Sequence, residues 1–301
     1  MHILLTGGTG FIGRKLAQRL HHAGHSLTLL TRQSKNEVET LFPFSITSTH
    51  SLSNIGADTT IDAIINLAGA PIADRRWSTL RKQLLINSRV DTTADVVALV
   101  KRLTNKPKVL INGSAVGYYG DQGSRVVKEN TPAHDEFTHQ LCKAWENKAN
   151  ECKTLKVRVA LLRTGLVLGD NGGFLKKMLP AFKLGLGGSL GAGNQYMPWI
   201  HLNDIIEIII RLLEDEKLFG PINATAPNPV TNSQFTKILG TLLHRPTFLT
   251  LPGGLLQLIF GEMARLLTTG QKAVPQKLID NGFKFQYENL SAALTEVLTG
   301  K

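Results

Sequence analysis

A glycine-rich turn near the start of the chain constrains the fold more than any other feature. The run His2–Thr6 has the composition of a strand, and the apolar pattern of a helix begins at Ile12. Between them, Gly7 permits a tight turn, and Gly10 lets the backbone approach a pyrophosphate closely. Gly13 lets the helix pack closely on the strand. Free N–H groups at the start of that helix favour a phosphate. The G-x-x-G-x-x-G spacing therefore predicts a dinucleotide-binding unit, with an ordinary glycine-rich loop as the alternative.

The first 165 residues alternate short β-rich runs with amphipathic stretches, a pattern typical of βαβ units on a parallel sheet. Strands are predicted at His2–Thr6, Leu27–Thr31, Ala63–Asn66, Val109–Asn112 and Val157–Leu162. Helices are predicted at Ile12–Ala23, Ser78–Leu103 and Glu136–Cys152. This alternation predicts an α/β fold, a Rossmann-type doubly wound parallel sheet over residues 1–165.

The pattern changes after this point, and residues 166–301 are predicted to form a smaller C-terminal lobe on the substrate side that partly returns to the sheet. The glycine-dense segment Gly185–Gly193 is predicted to be a loop, because so many glycines disfavour a helix or a central strand. Helices are predicted at Asn203–Leu213 and Thr231–Leu243, a short strand at Pro221–Ala224, and two further helical pieces near Pro252 and Pro275.

Composition limits the function classes. The formal net charge is +11, but the basic residues occur as scattered pairs without aromatic stacking motifs, so no nucleic-acid partner is predicted. An anionic cofactor or substrate accounts for part of this charge. Cys142 and Cys152 form neither a C-x-x-C pair nor a metal-ligand cluster, so no metal and a reducing compartment are predicted. Without a signal segment or an apolar run of about 20 residues, we expect a cytoplasmic protein with no membrane contact.

The residues after the second predicted strand indicate which dinucleotide is preferred. An NAD site usually places a carboxylate there, to accept a hydrogen bond from the ribose 2′-hydroxyl. This chain instead has Thr31 and Arg32, followed by Ser34 and Lys35. Arg32 can pair with a 2′-phosphate through charge-assisted hydrogen bonds, helped by Ser34 or Lys35, so NADP is predicted. The alternative is that Arg32 is an ordinary solvated residue.

Two further segments resemble the short-chain dehydrogenase/reductase superfamily. Asn66–Gly69 offers small residues at the crevice of the sheet and resembles the superfamily's N-A-G signature. Asn112–Gly120 looks like the Ser-x-x-x-Tyr-Gly element of its extended members, although its spacing is one residue longer. The resemblance implies that Ser114 polarises a substrate carbonyl, while a Tyr activated by a Lys moves the proton.

The standard Tyr-x-x-x-Lys pair of that superfamily is missing, because none of the four tyrosines has a Lys four positions later. Aligning Glu146 with the family's acidic residue puts Thr138 and Cys142 in the Tyr and Lys places. Lys143, Cys142, Glu146 or Tyr118 could substitute, but each has a structural alternative as a helix-surface, buried or packed residue. The predicted catalytic residues are Ser114, Tyr118, Tyr119 and Lys143. The predicted cofactor contacts are Gly7, Thr9, Gly10, Phe11, Ile12, Gly13, Thr31, Arg32, Asn66, Leu67, Ala68, Gly69 and Glu146.

Over its whole length the chain resembles the "epimerase family" proteins among the atypical extended short-chain dehydrogenases. The runs Leu161–Gly169, Pro198–Asp204 and Gly282–Phe285 carry this resemblance, which implies a C-terminal domain of unknown function at about 249–298. His201 and Asp204 are interpreted as structural, with Asp204 pairing locally.

This resemblance implies an NADP(H)-dependent oxidoreductase or epimerase acting on a carbonyl or sugar-nucleotide-like small molecule. The alternative is a non-catalytic NADP(H) sensor or regulatory protein. Either would be a monomer or a homodimer, because the long helix predicted at Ser78–Leu103 could pair with its copy.

Overall fold

The computed structural model describes residues 1–170 and 172–300. Its strands are β1 (His2–Thr6), β2 (Ser26–Leu30), β3 (Thr47–Thr49), β4 (Ala63–Asn66), β5 (Val109–Ala115), β6 (Val126–Val127), β7 (Arg158–Thr164), β8 (Leu166–Leu168), β9 (Tyr196–Met197), β10 (Trp199–His201), β11 (Gly220–Ala224), β12 (Val230–Thr231) and β13 (Lys272–Ala273). Seven of them form one parallel sheet in the order β11-β7-β5-β4-β1-β2-β3. This order confirms the predicted doubly wound α/β fold.

Helices cover both faces of this sheet. They are α1 (Phe11–His22), α2 (Lys35–Leu41), α3 (Thr79–Arg102), α4 (Phe137–Asn150), α5 (Gly173–Lys183), α6 (Leu202–Glu214), α7 (Asn232–Leu243), α8 (Gly253–Phe260), α9 (Arg265–Thr268), α10 (Gln276–Asp280) and α11 (Leu290–Thr299). Apolar side chains of α1 and α6 pack on one face, and those of α3 and α4 pack on the other. The sheet, with the carboxyl ends of its strands, therefore lies between two layers of helices.

The sheet is wider than the five strands predicted for the first 165 residues. β11 returns from the C-terminal half to pair with β7, as the predicted partial return of the lobe requires. β3 and α2 were not predicted, because β3 has only three polar residues and α2 only seven residues. α5 was also missed, because it begins at a glycine and contains Pro180, both of which disfavour a helix in sequence.

The C-terminal lobe has its own apolar core, to which α5, α7 and α11 contribute. The glycine-dense segment lies outside helices and strands apart from one bridge between Leu190 and Leu251, which confirms the predicted loop. No helix within residues 1–170 and 172–300 is both long and apolar enough to span a bilayer.

Two buried side chains at the start of α6 join the lobe to the sheet. The His201 ring accepts a hydrogen bond from the Asn203 N–H and lies 2.8 Å from the Glu296 carboxylate. Asp204 accepts the backbone N–H groups of Gln286 and Tyr287 at 2.7 and 3.0 Å. The prediction of local pairing for Asp204 is therefore wrong, because its partners lie more than 80 residues away. The sequence alone did not reveal these contacts, because tertiary packing brings together residues that are far apart in the chain.

Candidate functional site

The turn between β1 and α1 has a geometry that only glycine satisfies. Gly7 adopts a φ of +69°, and a Cβ on it would lie 2.8 Å from the Leu67 carbonyl carbon. A Cβ on Gly13 would lie 2.2 Å from the Gly7 carbonyl oxygen. Both distances are too short for an ordinary contact, so these glycines bring α1 close to the turn and to the end of β4.

The N-terminus of α1 is open for an anion. Gly10 is the N-cap residue, and no side chain caps the helix, so its first N–H groups remain available to a ligand. The Phe11 ring packs against the turn after β8, where a Cβ on Gly169 or Gly172 would lie 2.9 or 2.1 Å from it. This helix N-terminus, which has no side-chain cap and adjoins the glycines of the β1–α1 turn, fits the pyrophosphate of a dinucleotide.

A free cation lies just after β2. Arg32 is exposed and makes no hydrogen bond or ion pair with the part of the chain that the structure describes. The preceding Thr31 is buried, and its hydroxyl accepts the Gln33 N–H. Ser34 is engaged elsewhere, since it caps α2 in a reciprocal arrangement with Glu37. Lys35 forms an exposed ion pair with Glu39 at 3.8 Å, so of the two cations predicted to receive a 2′-phosphate Arg32 is the one without a partner in the described chain.

The end of β4 is fixed by a buried hydrogen-bond network around Asn66. The Thr6 hydroxyl donates to Oδ1 of the Asn66 side chain at 2.5 Å, and it accepts the Ala68 N–H at 3.1 Å. The Asn66 amide donates to Asn112 at 2.6 Å and to Thr93 at 2.9 Å. The Asn66 side chain is therefore used internally, where it holds the turn of Leu67, Ala68 and Gly69 against the crevice.

Ser114 is tied into a buried ion pair. Its hydroxyl donates to Glu146 Oε1 at 2.7 Å, and Arg163 holds both oxygens of that carboxylate at 2.9 Å. Ser114 on β5 and Arg163 on β7 are register partners, so the sheet itself brings the three groups together. The geometry gives Ser114 and Glu146 a partner within the protein, and neither is aimed freely at a ligand.

Arg163 is a site residue that sequence reasoning missed. Burial alone would lower its pKa, but the hydrogen bonds and charges of Glu146 and Tyr119 outweigh this and raise the pKa. Its guanidinium also donates to the Tyr119 hydroxyl at 2.9 Å and to the Glu129 carbonyl. The arginine directly after the apolar run Val159–Leu162 was the signal that could have revealed it, because a charged residue buried in a strand needs a partner.

Tyr119 lies inside the same network and is fully buried. Its hydroxyl donates to Asn223 Oδ1 at 2.7 Å, and burial raises its pKa to about 12 despite the nearby Arg163. A phenol that holds its proton so firmly in the core is poorly placed to exchange it with a substrate. The structure thus places the predicted catalytic Tyr119 in a positioning network.

Tyr118 and Lys143 lie in different environments, since Tyr118 is half-buried and Lys143 is exposed. The Tyr118 ring covers the Arg163 guanidinium at 3.4 Å and meets the His139 ring edge-on, while its hydroxyl has no partner among the residues described. Lys143 is exposed on α4, next to a buried helix face that contains Cys142 and Glu146. Of the two predicted catalytic residues, Tyr118 has the half-buried hydroxyl that could exchange a proton.

The places of the missing Tyr and Lys are filled by small or apolar groups. Thr138 packs against Gly117, where a Cβ would lie 3.1 Å from it. Cys142 is buried under β5, and its thiol interacts with the Ala115 backbone and the Ser114 side chain. Burial, then the charge of Glu146, raises the pKa of Cys142 to about 11. These groups cannot reproduce a Tyr–Lys proton relay at neutral pH.

Comparisons with known proteins agree with this geometry. Residues 3–223 match the model of the NAD dependent epimerase/dehydratase family, and residues 251–297 match a domain of unknown function, DUF1731. The chain is 38% identical to "Epimerase family protein SDR39U1 homolog, chloroplastic" of Arabidopsis thaliana, over 99% of this chain and 87% of that protein. It is 35% identical to epimerase family protein YfhF of Bacillus subtilis, over 100% and 99% of the two chains.

A solved structure is similar over the full length. The human epimerase family protein SDR39U1 (isoform2), crystallised with NADPH, superposes with a TM-score of 0.89 at 33% identity, and the match covers 99% of each chain. That cofactor is the one the residues after β2 predict. The predicted family is confirmed: the chain belongs to the NAD dependent epimerase/dehydratase family, as an atypical extended short-chain dehydrogenase/reductase with a C-terminal DUF1731 domain.

Proposed function

We propose that this protein binds NADP(H) in preference to NAD(H) and is an oxidoreductase or epimerase for a small carbonyl or sugar-nucleotide-like substrate. The observation that carries the cofactor preference is the free Arg32 guanidinium after β2, where no carboxylate stands. The glycine turn and the uncapped α1 would hold the pyrophosphate. The human relative crystallised with NADPH supports the same cofactor.

Calorimetric titration of NADPH and NADH into wild type and Arg32→Ala tests the preference. A charge-assisted contact is worth about 1.5–3 kcal/mol, so the substitution should weaken NADPH binding about 10- to 100-fold and leave NADH binding unchanged. Arg125→Ala, at an exposed arginine outside the site, is the matched control. Equal losses for both nucleotides, or none for either, would contradict the role of Arg32.

The chemistry must use a proton source other than a Tyr–Lys pair. Bound NADP(H) supplies or accepts a hydride at the crevice next to β4 and β5. The turn of Leu67, Ala68 and Gly69 lines this crevice, and the hydroxyl of the half-buried Tyr118 is the candidate to donate a proton to the carbonyl oxygen. The Ser114–Glu146–Arg163 network holds β5 and α4 in place beneath this region.

A non-catalytic NADP(H) sensor is the second candidate. This alternative is supported by the hydroxyls of Ser114 and Tyr119, which both donate hydrogen bonds within the protein, and by the burial of the Cys142 thiol. The distribution of relatives leaves the compartment open, and we propose a reducing one, such as the cytoplasm, because both cysteines are free and buried. The oligomeric state, monomer or homodimer, stays a prediction.

Enzyme and sensor differ in turnover. Absorbance of NADPH should fall when the protein is mixed with a panel of carbonyl compounds, and NMR should detect interconversion of sugar nucleotides in the presence of NADP⁺. Tyr118→Phe should slow the chemical step and leave NADPH affinity unchanged. Tight NADPH binding with no turnover across both panels would favour the sensor.

A further inference from the structure

Two arginines of α3 reach the same short loop. Arg89 Nη2 donates to the Ala70 carbonyl at 3.1 Å, and Arg81 Nη2 donates to the carbonyl of Pro71. The two arginines are two helical turns apart, on one face of α3, and their side chains converge on adjacent carbonyls after β4. The two guanidinium groups therefore share one loop, and the charge of Arg81 acts on Arg89.

Neither cation has an acidic partner in the described part of the chain. The nearby acids are committed elsewhere, since Glu262 pairs with Lys82 and Asp74 pairs with Lys177 at 2.6 Å. Arg81 Nε is buried and has no hydrogen-bond partner. Burial, with the charge of Arg81 adding to it, lowers the pKa of Arg89. Two part-buried like charges without a counter-ion are unfavourable until an anion neutralises them.

The pair adjoins the predicted nicotinamide crevice. A Cβ on Gly69, just after β4, would lie 2.9 Å from Arg89 Cζ, so guanidinium and turn are in close contact. The same guanidinium lies 5.2 Å from the centre of the Trp145 ring on α4. Its charge favours the ionised form of Cys142, the residue in the place of the missing Lys, although burial outweighs this and raises the pKa of that thiol. Arg89 thus contributes positive charge where the family's usual cation is absent.

The loop that carries the two carbonyls is held from the other side by the C-terminal lobe. Arg76 Nε donates to the Ile259 carbonyl at 2.5 Å, and its Nη2 donates to Leu258. Lys177 on α5 donates to Asp74. These contacts tether the loop, and with it the two carbonyls that orient the guanidinium groups.

We propose that Arg81 and Arg89 bind an oxyanion group, a carboxylate or a phosphate, on the substrate. Planar guanidinium groups recognise such oxygens through paired hydrogen bonds, and Arg81 Nη1 and Arg89 Nε make no hydrogen bond within the described residues. The substrate would then be an acidic small molecule whose charged group is anchored beside the nicotinamide. This inference rests on the proposed function and narrows its substrate class.

The test is titration of two probes, inorganic phosphate and oxalate, into NADPH-saturated protein at constant ionic strength. Wild type should bind at least one probe, and Arg81→Gln and Arg89→Gln should each weaken that binding at least tenfold. Arg81→Lys keeps the charge and should lose less than Arg81→Gln. Arg125→Gln should bind as wild type does. The probe that binds more tightly identifies the group as phosphate or carboxylate.

Separate titration of NADPH distinguishes the two proposals. If NADPH fails to bind wild type, the proposed function fails first. If NADPH binds and neither probe does, or if all variants bind the probes equally, the oxyanion site is overturned. A loss of NADPH affinity in Arg89→Gln without a loss of probe binding in Arg81→Gln would assign Arg89 to the cofactor and also overturn the proposal.

Discussion

At the residue scale, the buried pair of Glu146 and Arg163 decides what the site can do. Its geometry is bidentate, and its remaining hydrogen-bonding groups are used by Ser114 and Tyr119. A buried carboxylate with both oxygens satisfied is a fixed structural charge, because losing any partner leaves an uncompensated group in the core. Glu146 thus holds β5, β7 and α4 together, and its predicted contact with the cofactor stays a prediction.

Glu146→Gln should destabilise the protein strongly. The amide removes the counter-charge of Arg163, and breaking one side of a buried pair costs about 3–5 kcal/mol. Urea unfolding should show a lower midpoint with an unchanged slope. Glu151→Gln, which removes an exposed pair with Lys148, is the control and should cost less than about 1 kcal/mol. Similar costs for the two variants would mean that the buried pair is not needed for stability.

Cys142 and Cys152 should be unreactive in the folded protein. Burial, then a neighbouring carboxylate, raises both pKa values to about 11, so about one thiol in a thousand is ionised at pH 8. Because these pKa values lie above the ordinary thiol pKa of about 9, the stability linked to the neutral thiols is present below about pH 9 and is lost as pH rises towards 11.

Labelling with a thiol-reactive chromogenic disulfide at pH 8 checks this. Native protein should react slowly, and urea-unfolded protein should release two equivalents rapidly, one for each cysteine. Rapid labelling of native protein would show that at least one thiol is accessible, and Cys142→Ala would identify which.

At the element scale, the β1–α1 turn was predictable from sequence and the rest of the crevice was not. Glycine spacing encodes a local geometry, because the turn and the helix start lie within a few residues. The hydrogen bonds of Ser114, Arg163 and Asn223 depend on the register of three strands that are distant in sequence. No local pattern encodes that register, so Ser114 was predicted to face a substrate when its hydroxyl faces Glu146.

Gly13→Ala tests the packing of this turn. Its Cβ would lie 2.2 Å from the Gly7 carbonyl oxygen, so α1 must shift away from the turn. We expect a loss of about 1–3 kcal/mol in stability and a loss of NADPH binding, measured by thermal unfolding and calorimetry. Gly254→Ala on α8, where a Cβ meets no atom within 4 Å, is the control and should be neutral or slightly stabilising.

At the scale of the whole molecule, sequence predicted the sheet and the existence of the lobe, but not how firmly the two are joined. Asn223 on β11 bonds to Tyr119 in the site and donates to the Val274 carbonyl in the C-terminal segment. Glu129 accepts the N–H groups of Asn223 and Lys277 at 3.2 Å. These contacts span about 150 residues of chain, which is why the predicted boundary at residue 165 does not separate two independent units.

This coupling predicts a single cooperative unfolding transition for the sheet and the lobe. NADPH at 100 times its Kd should raise the free energy of unfolding by about 2.7 kcal/mol, and the whole transition should shift. Calorimetric unfolding with and without NADPH measures the free energy of unfolding and the number of transitions. Tryptophan fluorescence follows the two parts separately, because Trp199 lies in the lobe core and Trp145 lies on α4 at the sheet. Trp77→Phe combined with either Trp145→Phe or Trp199→Phe leaves one tryptophan in each variant, and its fluorescence midpoint should equal the calorimetric midpoint of the same variant. Two midpoints, with only the Trp145 signal shifted by NADPH, would contradict the coupling through Asn223 and Glu129, since the lobe would then unfold independently of the cofactor site.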